Sequence, residues 1–424
     1  MRAAPVMQSL PFDPADARTI LAQIPESAAV FALYGVETHA EPYIGRTPNL
    51  RARLERLLVP SARHPKRLQL AGLVRRIEWR QTGSEFESLL LQFHLLSTVY
   101  GTKGLERMHL RAPAFVRFLG SNPYPRVVVT HRPSLREAGW VYGPFASRAA
   151  ADRYVDEMLK LFLLRRCTDD LHPDPSFPGC VYSEMKMCLA PCYKGCTDER
   201  YAEEAAAVEG FLATRGESRL VLLRADREEA SAALEFEMAA AIHAQVQKME
   251  SVRALAPELV QPINRLRGVI LQASASPDAV AVFLFENGRM SGPADFSTVG
   301  MRIQNEQSGS SSLFAQPIAV EAVPENIPNS ATRRARAVLE ERMEAVLAEL
   351  HAEHAAPTQV ERQGHMALLK RWYYRPEARR MGEIFFPDAE DNWPIKSILR
   401  GVGRVAARSL ASRVPPQPSK PERD

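Results

Sequence analysis

Outside a single stretch of 30 residues this 424-residue chain contains no cysteine: residues 1–166 and 197–424 have none. That scarcity argues against a disulfide scaffold, and so does the odd total of five, because a secreted framework pairs its thiols. Long apolar runs are missing too. None approaches the ~18 residues that cross a bilayer, so no membrane contact is expected. The opening Met1-Arg2-Ala3-Ala4-Pro5 lacks the apolar core of a secretion signal, and the expected compartment is the cytoplasm, where thiols stay reduced. Net charge is also small. The balance of 54 Lys+Arg against 50 Asp+Glu leaves +4, too little to define a nucleic-acid binder, so local basic strips must carry that reading. With an apolar fraction of 46% the length allows roughly two to four domains, each with its own core.

What cysteine there is lies together. Cys167, Cys180, Cys188, Cys192 and Cys196 follow the spacing C-x12-C-x7-C-x3-C-x3-C. A thiolate is a soft ligand, and four of them at short loop spacings can hold an iron–sulfur cluster or a zinc ion. The compact turn Cys188-Leu189-Ala190-Pro191-Cys192 suits ligands that converge on one centre. The bland alternative is a set of buried thiols that bind nothing, and no tight C-x2-C pair is present to decide between them.

Taken in order, residues 1–25 read as a loose lead-in with one short helix. Ala28–Gly35 and Tyr43-Ile44-Gly45 read as strands. Thr47-Pro48 is a helix start, with the hydroxyl as cap and proline at the first helical position. The helix that follows puts Leu50, Leu54, Leu57 and Leu58 on one face, with Arg51 and Arg53 at its two edges. Arginines so placed can reach a phosphate in an adjoining cleft, or can simply be solvated. Ser84 and Glu87 form a capping box, and Phe86, Leu89, Leu90 and Phe93 make a helical apolar face. Further helices are expected over 147–164 and 199–215, with a longer one after Gly216.

Several of these stretches resemble the excision-repair endonucleases of the UvrC type. Leu161–Cys167 followed by Cys180-x7-Cys188-Leu189-Ala190-Pro191-Cys192 is similar to that family's cysteine-rich pattern. Val30-Phe31, then Tyr43-Ile44-Gly45-Arg46-Thr47-Pro48-Asn49-Leu50-Arg51-Ala52-Arg53-Leu54, resembles the GIY-YIG nuclease domain that opens such proteins. Tyr142-Gly143-Pro144-Phe145 continues the likeness, which covers residues 28–200 in the family's order. The resemblance implies an α+β fold. It would comprise a small three-stranded antiparallel sheet with helices over 26–105, a connecting segment over 106–150 and a cysteine-rich helical region over 151–200. It also implies a [4Fe–4S] cluster on Cys167, Cys180, Cys188 and Cys192, with zinc as the alternative and Cys196 outside the pattern. Arg227–Ile242 resembles the UVR motif, and with it a helical hairpin over 201–256 and a UvrB-like partner held through 225–250 are implied.

The same likeness implies damaged duplex DNA as the partner and metal-dependent (Mg or Mn) phosphodiester incision as the activity. A hard anionic ligand would hold the metal, and cationic and polar groups would hold the phosphate. Tyr43 and Arg53 match the catalytic tyrosine and arginine, and Arg46 stands where lysine is usual. Arg46, Asn49, Arg51 and Arg53 are the implied DNA contacts. Four positions depart from the pattern. Phe31 and Leu57 replace tyrosines, Gln92 occupies the metal-binding glutamate position, and Gly104 stands where an asparagine is expected. A neutral amide holds Mg²⁺ far more weakly than a carboxylate does. Glu85 is seven residues before Gln92, about 10 Å along a helix, too far to substitute. The fold is therefore expected to persist with an impaired metal site. The rival reading is a non-catalytic DNA-binding or partner-recruiting protein on the same scaffold, and a metal-sensing regulator centred on the cysteines is a third.

Beyond residue 262 the character turns to β, with Asn287-Gly288 as a type I′ hairpin turn. Complete relatives continue into an RNase H-like nuclease, but residues 262–330 show no matching set of carboxylates. A helical basic region is expected over 331–413 and a disordered tail over 414–424. His351 and His354 read as an exposed helix end rather than metal ligands. Leu368–Arg375 interleaves aromatics with cations, as a base-stacking strip or as a strand with one packed face. Lys396, Arg400, Arg404 and Arg408 form a basic stripe, and Gly401-Val402-Gly403 is a weak match to a helix–hairpin–helix turn.

Overall fold

A computed structural model describes residues 7–37, 41–60, 68–133, 139–299, 301, 329–352, 357–376 and 379–413. It is an α+β chain of three antiparallel four-stranded sheets with helices packed between and around them. Among the described residues no helix is long and apolar enough to cross a membrane.

The first unit contains β1 (Gln8–Pro11), α1 (Ala17–Ala22), β2 (Ala29–Tyr34), β3 (Tyr43–Thr47), α2 (Leu50–Leu58), β4 (Arg76–Gln81), α3 (Glu85–Tyr100) and α4 (Lys103–Arg107). Its strands run in the order β1-β4-β2-β3, so the sheet has four strands and not three. The lead-in supplies the extra one, Leu10 pairing with Ile77 on the outer edge of β4. Leu50, Leu54, Leu57 and Leu58 of α2 are buried against Phe31, Leu33 and Ile77, as the stripe predicts. The cap of α2 is Asn49 rather than Thr47, its Oδ1 accepting from Ala52 N at 2.9 Å. Thr47, still in β3, instead accepts from Asn49 N at 3.3 Å. At the start of α3, Ser84 Oγ accepts from Glu87 N, while Glu87 reaches back one residue further than a capping box requires, to Gly83 N at 2.8 Å.

The segment 106–150, expected to be a connection, builds the second sheet: β5 (Ala114–Phe118), β6 (Val127–Thr130) and β7 (Val141–Phe145). Behind it come α5 (Arg148–Met158), α6 (Val181–Glu184), α7 (Asp198–Ala213), α8 (Glu217–Ala232) and α9 (Phe236–Ala254). The short β8 (Gln261–Pro262) then adds to β7. Tyr201, Ala205, Val208, Phe211 and Leu212 all point into this core, at the helical spacing read from sequence. The helix expected after Gly216 is broken in two, because the chain reverses at Ala233–Glu235 with Leu234 in left-handed backbone at φ 60°.

The third unit has β9 (Gly268–Ala273), β10 (Ala279–Glu286), β11 (Arg289–Ser297), α10 (Asn329–Ala352), α11 (Gln359–Tyr373), β12 (Glu383–Phe385) and α12 (Ile395–Arg413). The order is β11-β10-β9-β12. Along β10, Val280, Val282 and Leu284 face α10 and α12, whereas Ala281, Phe283 and Phe285 face α11 and α3. A strand buried on both faces has no polar side to present, and this explains the unbroken apolar run of its sequence. Asn287 (φ 52°) and Gly288 (φ 78°) make the tight turn between β10 and β11.

Helix α3 touches β2 and β3 of the first unit, yet its apolar face lies in the core of the third. Its Phe86, Leu89, Leu90 and Phe93 are buried with Phe283, Met366, Leu369 and Trp372 of the third unit. His94 and His365 meet there, Nε2 to Nε2 at 3.0 Å.

Two further expectations are corrected. Leu368–Tyr373 is the end of helix α11, not a strand, and Trp372 is buried with its Nε1 donating to Met381 O at 2.9 Å, so it presents no stacking face. Gly401-Val402-Gly403 lies inside continuous helix α12. A Cβ on Gly401 would stand 2.5 Å from Phe385 Cζ, so this glycine serves close packing and not a DNA hairpin. His351 lies exposed in the last turn of α10, as expected, with its Nδ1 2.7 Å from Glu286 Oε2; His354 and the tail 414–424 lie outside the described residues.

Candidate functional site

Helices α2 and α3 and strand β3 bring the first set of predicted residues together. Arg53 Nη2 donates to the Tyr43 hydroxyl at 3.2 Å. Tyr43 and Gln92 line one open cleft of about 570 Å³, together with Ile44, Tyr100, Glu106 and His109. Phe31 is fully buried beside Tyr43, ring centroids 6.1 Å apart, and Gly45 makes room for it: a Cβ there would lie 2.8 Å from Phe31 Cζ. Leu57 is buried in the same core, so neither replaced tyrosine position opens to the cleft.

The rim is closed by polar contacts between α3 and the start of β3. Tyr100 OH donates to Pro42 O at 2.8 Å, and the Arg107 guanidinium lies 3.7 Å over the Tyr100 ring. Arg46, on the exposed edge of β3, stands 3.5 Å from Glu85. Glu85 is in turn clamped by Arg375 at 2.8 and 2.9 Å, and that bidentate contact holds its carboxyl below the usual range.

Not all the implied DNA contacts are available. Arg51 uses its guanidinium within the fold, donating to Ile24 O at 2.7 Å, Ala22 O at 3.1 Å and Glu26 Oε1 at 2.6 Å. It fastens α2 to the end of α1. Asn49 spends its side-chain oxygen on the helix cap, and only its amide hydrogens remain to meet a ligand. Arg53 is half-buried with Tyr43 as its side-chain partner, and Arg46 is exposed with Glu85 as its own. One cleft residue was missed in the sequence: Glu106, on α4, places a carboxylate in the space shared by Tyr43 and Gln92. Its position depends on the turn at Gly101 (φ 56°), which folds α4 back beneath α3; the Gly-Thr-Lys-Gly stretch was the available signal.

The cysteines occupy the loop between α5 and α7. Cys180 precedes α6, Cys192 sits in a single 3-10 turn (Pro191–Tyr193), and all five thiols are free and half-buried. Burial pushes the Cys188 thiol up to about 11, and the neighbouring Cys167, Cys192 and Cys180 push in the same direction. Those four sulfurs therefore lie within electrostatic reach of each other. Cys196 interacts with Cys192 and Asp198 instead.

Donors are aimed at the sulfurs. Ala190 N–H donates to Cys188 Sγ at 3.2 Å, helped by left-handed backbone at Ala190 (φ 55°). Arg165, buried to 1% exposure, donates to Tyr124 O at 2.9 Å, Asp169 O at 2.8 Å and Cys167 Sγ at 3.6 Å. Its Nη2 has no hydrogen-bond partner among the described residues. A buried cation with an orphaned donor beside thiols is costly unless negative charge collects there, and a thiolate-held inorganic centre would supply it. The donor set fits such a group chemically. As placed, however, no three His, Cys, Asp or Glu side chains among the described residues form a group that could hold a metal ion, either here or in the N-terminal cleft.

Comparison with known proteins points to the same class. Residues 115–211, from β5 through the cysteine loop to α7, match the family model described as "UvrC/Cho excinuclease, middle domain". Among curated proteins the chain is similar to the UvrABC system protein C of Alcanivorax borkumensis, 30% identical over 211 residues, 50% of this chain and 34% of that protein. It is 27% identical over 241 residues to that of Aliivibrio salmonicida (57% and 39%). It is 30% identical over 242 residues to that of Cereibacter sphaeroides (57% and 37%). The matches thus span little more than a third of these relatives' length. No solved structure matches.

Proposed function

We propose that this chain is a UvrC-like protein of nucleotide excision repair that binds damaged duplex DNA through its N-terminal cleft. The single observation that carries the reading is the Arg53–Tyr43 contact at a cleft shared with Gln92, in a chain whose middle is UvrC-like. Arg53 and Arg46 hold a phosphate, and the Tyr43 hydroxyl orients on it through Arg53. Incision would need a divalent metal. Gln92 offers only an amide oxygen, so the reading that fits the cleft best is DNA binding with little or no cutting by the native chain. Glu106 favours the second reading, because it supplies a carboxylate that could hold Mg²⁺ or Mn²⁺ in Gln92's place.

Cys167, Cys180, Cys188 and Cys192 would hold a [4Fe–4S] cluster, or zinc, which stiffens the loop between α5 and α7. The tip of the α8–α9 hairpin leaves Leu234, Phe236 and Met238 exposed at 71%, 67% and 54%, an apolar knob for a UvrB-like partner. In a bundle helix these side chains would turn inward, as Ile242, Val246, Met249 and Val252 further along α9 do.

Nicking of lesion-containing duplex, with Mg²⁺ or Mn²⁺, tests the reading. The native chain should bind the duplex and leave it largely intact, and Gln92→Glu should raise cutting. Substantial cutting by the native chain that Glu106→Gln abolishes establishes the second reading. Failure of the native chain to bind any duplex removes both.

A further inference from the structure

A second cavity, of about 370 Å³, lies where the turn before α3 meets the end of β9 and the helices α11 and α12. Its floor is set by close backbone approach. A Cβ on Gly83 would stand 2.1 Å from Ser274 C, so only glycine lets the two turns touch. The lining is unusually cationic. Arg375, Arg379 and Arg408 all contribute to it, and the single carboxylate among the lining residues is Glu85. That carboxylate is already committed to Arg375 at 2.8 and 2.9 Å. Arg379 has no ion pair among the described residues, and Arg408 has only Glu383 at 3.8 Å, a residue that Arg404 holds much closer, at 2.5 Å. Arg379 therefore faces this space with no ion pair among the described residues, and Arg408 with only a distant, shared one.

The remaining chemistry is that of hydrogen-bond readout. Gln272 is buried and gives its Nε2 to Met381 O at 3.1 Å, which leaves its carbonyl oxygen as a fixed acceptor. The Ser84 hydroxyl lies at the mouth. The volume falls at the small-ligand end of the usual range, room for one planar group and its phosphate and no more. Position matters as well. Arg46 and Arg375 grip the same Glu85 carboxylate, so this cavity and the N-terminal cleft are one carboxylate apart along the surface.

We propose that this cavity is a nucleotide site, in which Arg379 and Arg408 take the phosphate and Gln272 and Ser84 read the edge of the base. The nucleotide comes from a DNA strand that continues from the N-terminal cleft, or it is a free mononucleotide. The first source rests on the DNA-binding reading above; the second does not.

Fluorescence anisotropy with a labelled single-stranded 12-mer, and competition by dAMP, test it on the full chain. Arg379 and Arg408 are exposed, so Arg379→Ala/Arg408→Ala leaves the fold intact. Each phosphate contact on a single strand contributes about 0.7 to the salt slope, so losing two should lower it by about 1.4 and weaken binding about 25-fold at 0.1 M salt. The double lysine variant should recover most of the affinity, and dAMP should displace the oligonucleotide from the native chain. An unchanged slope and affinity in the double alanine variant, with the native chain binding DNA, overturns the site. If the native chain binds no DNA yet binds dAMP through these arginines, the repair reading falls and the site stands, with the free nucleotide as its source. Competition by inorganic phosphate equal to that by dAMP overturns the base-reading role.

Discussion

The docking of α11 against α3 can be tested at one residue, Gly364, with opposite signs expected from its two possible surroundings. A Cβ at this position would lie 2.2 Å from Phe93 Cζ and 2.3 Å from Cε2, and Phe93 is completely buried. Ordinary contact begins near 3.4 Å, so the ring or the helix must give by about 1.2 Å (3.4 minus 2.2). Overpacking of this kind costs about 1–3 kcal/mol. On a free helix the same change would help, because glycine in a helix interior is about 1 kcal/mol worse than alanine. Gly364→Ala should therefore lower the urea midpoint, through a loss of up to about 2 kcal/mol in unfolding free energy net of the helix gain. Trimming the ring should reverse it: Phe93→Leu on its own opens a cavity and destabilises, yet in the Gly364→Ala background it should cost less than in the native chain. Unfolding midpoints of the four proteins complete the cycle. A higher midpoint for Gly364→Ala, or strict additivity, would refute the docking of α11 on the helix that carries Gln92 and Tyr100.

Other expectations follow from single contacts. Burial raises the Glu87 carboxyl above its ordinary value against the opposing Gly83 N–H and Arg80, and Asp295 adds to the rise. The native chain thus loses stability as pH rises from the ordinary glutamate range through the raised value. Glu87→Gln, neutral throughout, should exceed the native melting temperature at pH 7 and lose that advantage below about pH 4.5. An equal melting temperature across that range would count against the burial argument. Arg165→Met should cost the anaerobically purified chain most of its iron and its visible absorbance, with Arg165→Lys in between; full iron retention by the methionine variant would show that the buried cation is structural alone. Cys196→Ser should leave metal content unchanged while Cys188→Ser abolishes it. Equal loss in both variants would move Cys196 into the ligand set.

Local chemistry determined much that the chain by itself displays. The thiols share one loop by spacing alone, because side chains this close in sequence need no long-range contact to lie together. The stripe of α2, the cap at Ser84 and the Asn287-Gly288 turn are equally local, each fixed by side chains within about one helical turn of each other. Long-range packing settled the rest. Residues 8–11 become a strand only because β4 offers a free edge, and Gly401 stays helical because Phe385 packs where a side chain would be. The Glu85 carboxylate meets Arg375 across 290 residues of chain, and Glu106 enters the Tyr43 cleft through a Gly101 turn that marks a reversal but not what it packs against. Contacts of that separation leave no periodicity in a sequence, since what creates them is burial against a surface assembled from elsewhere.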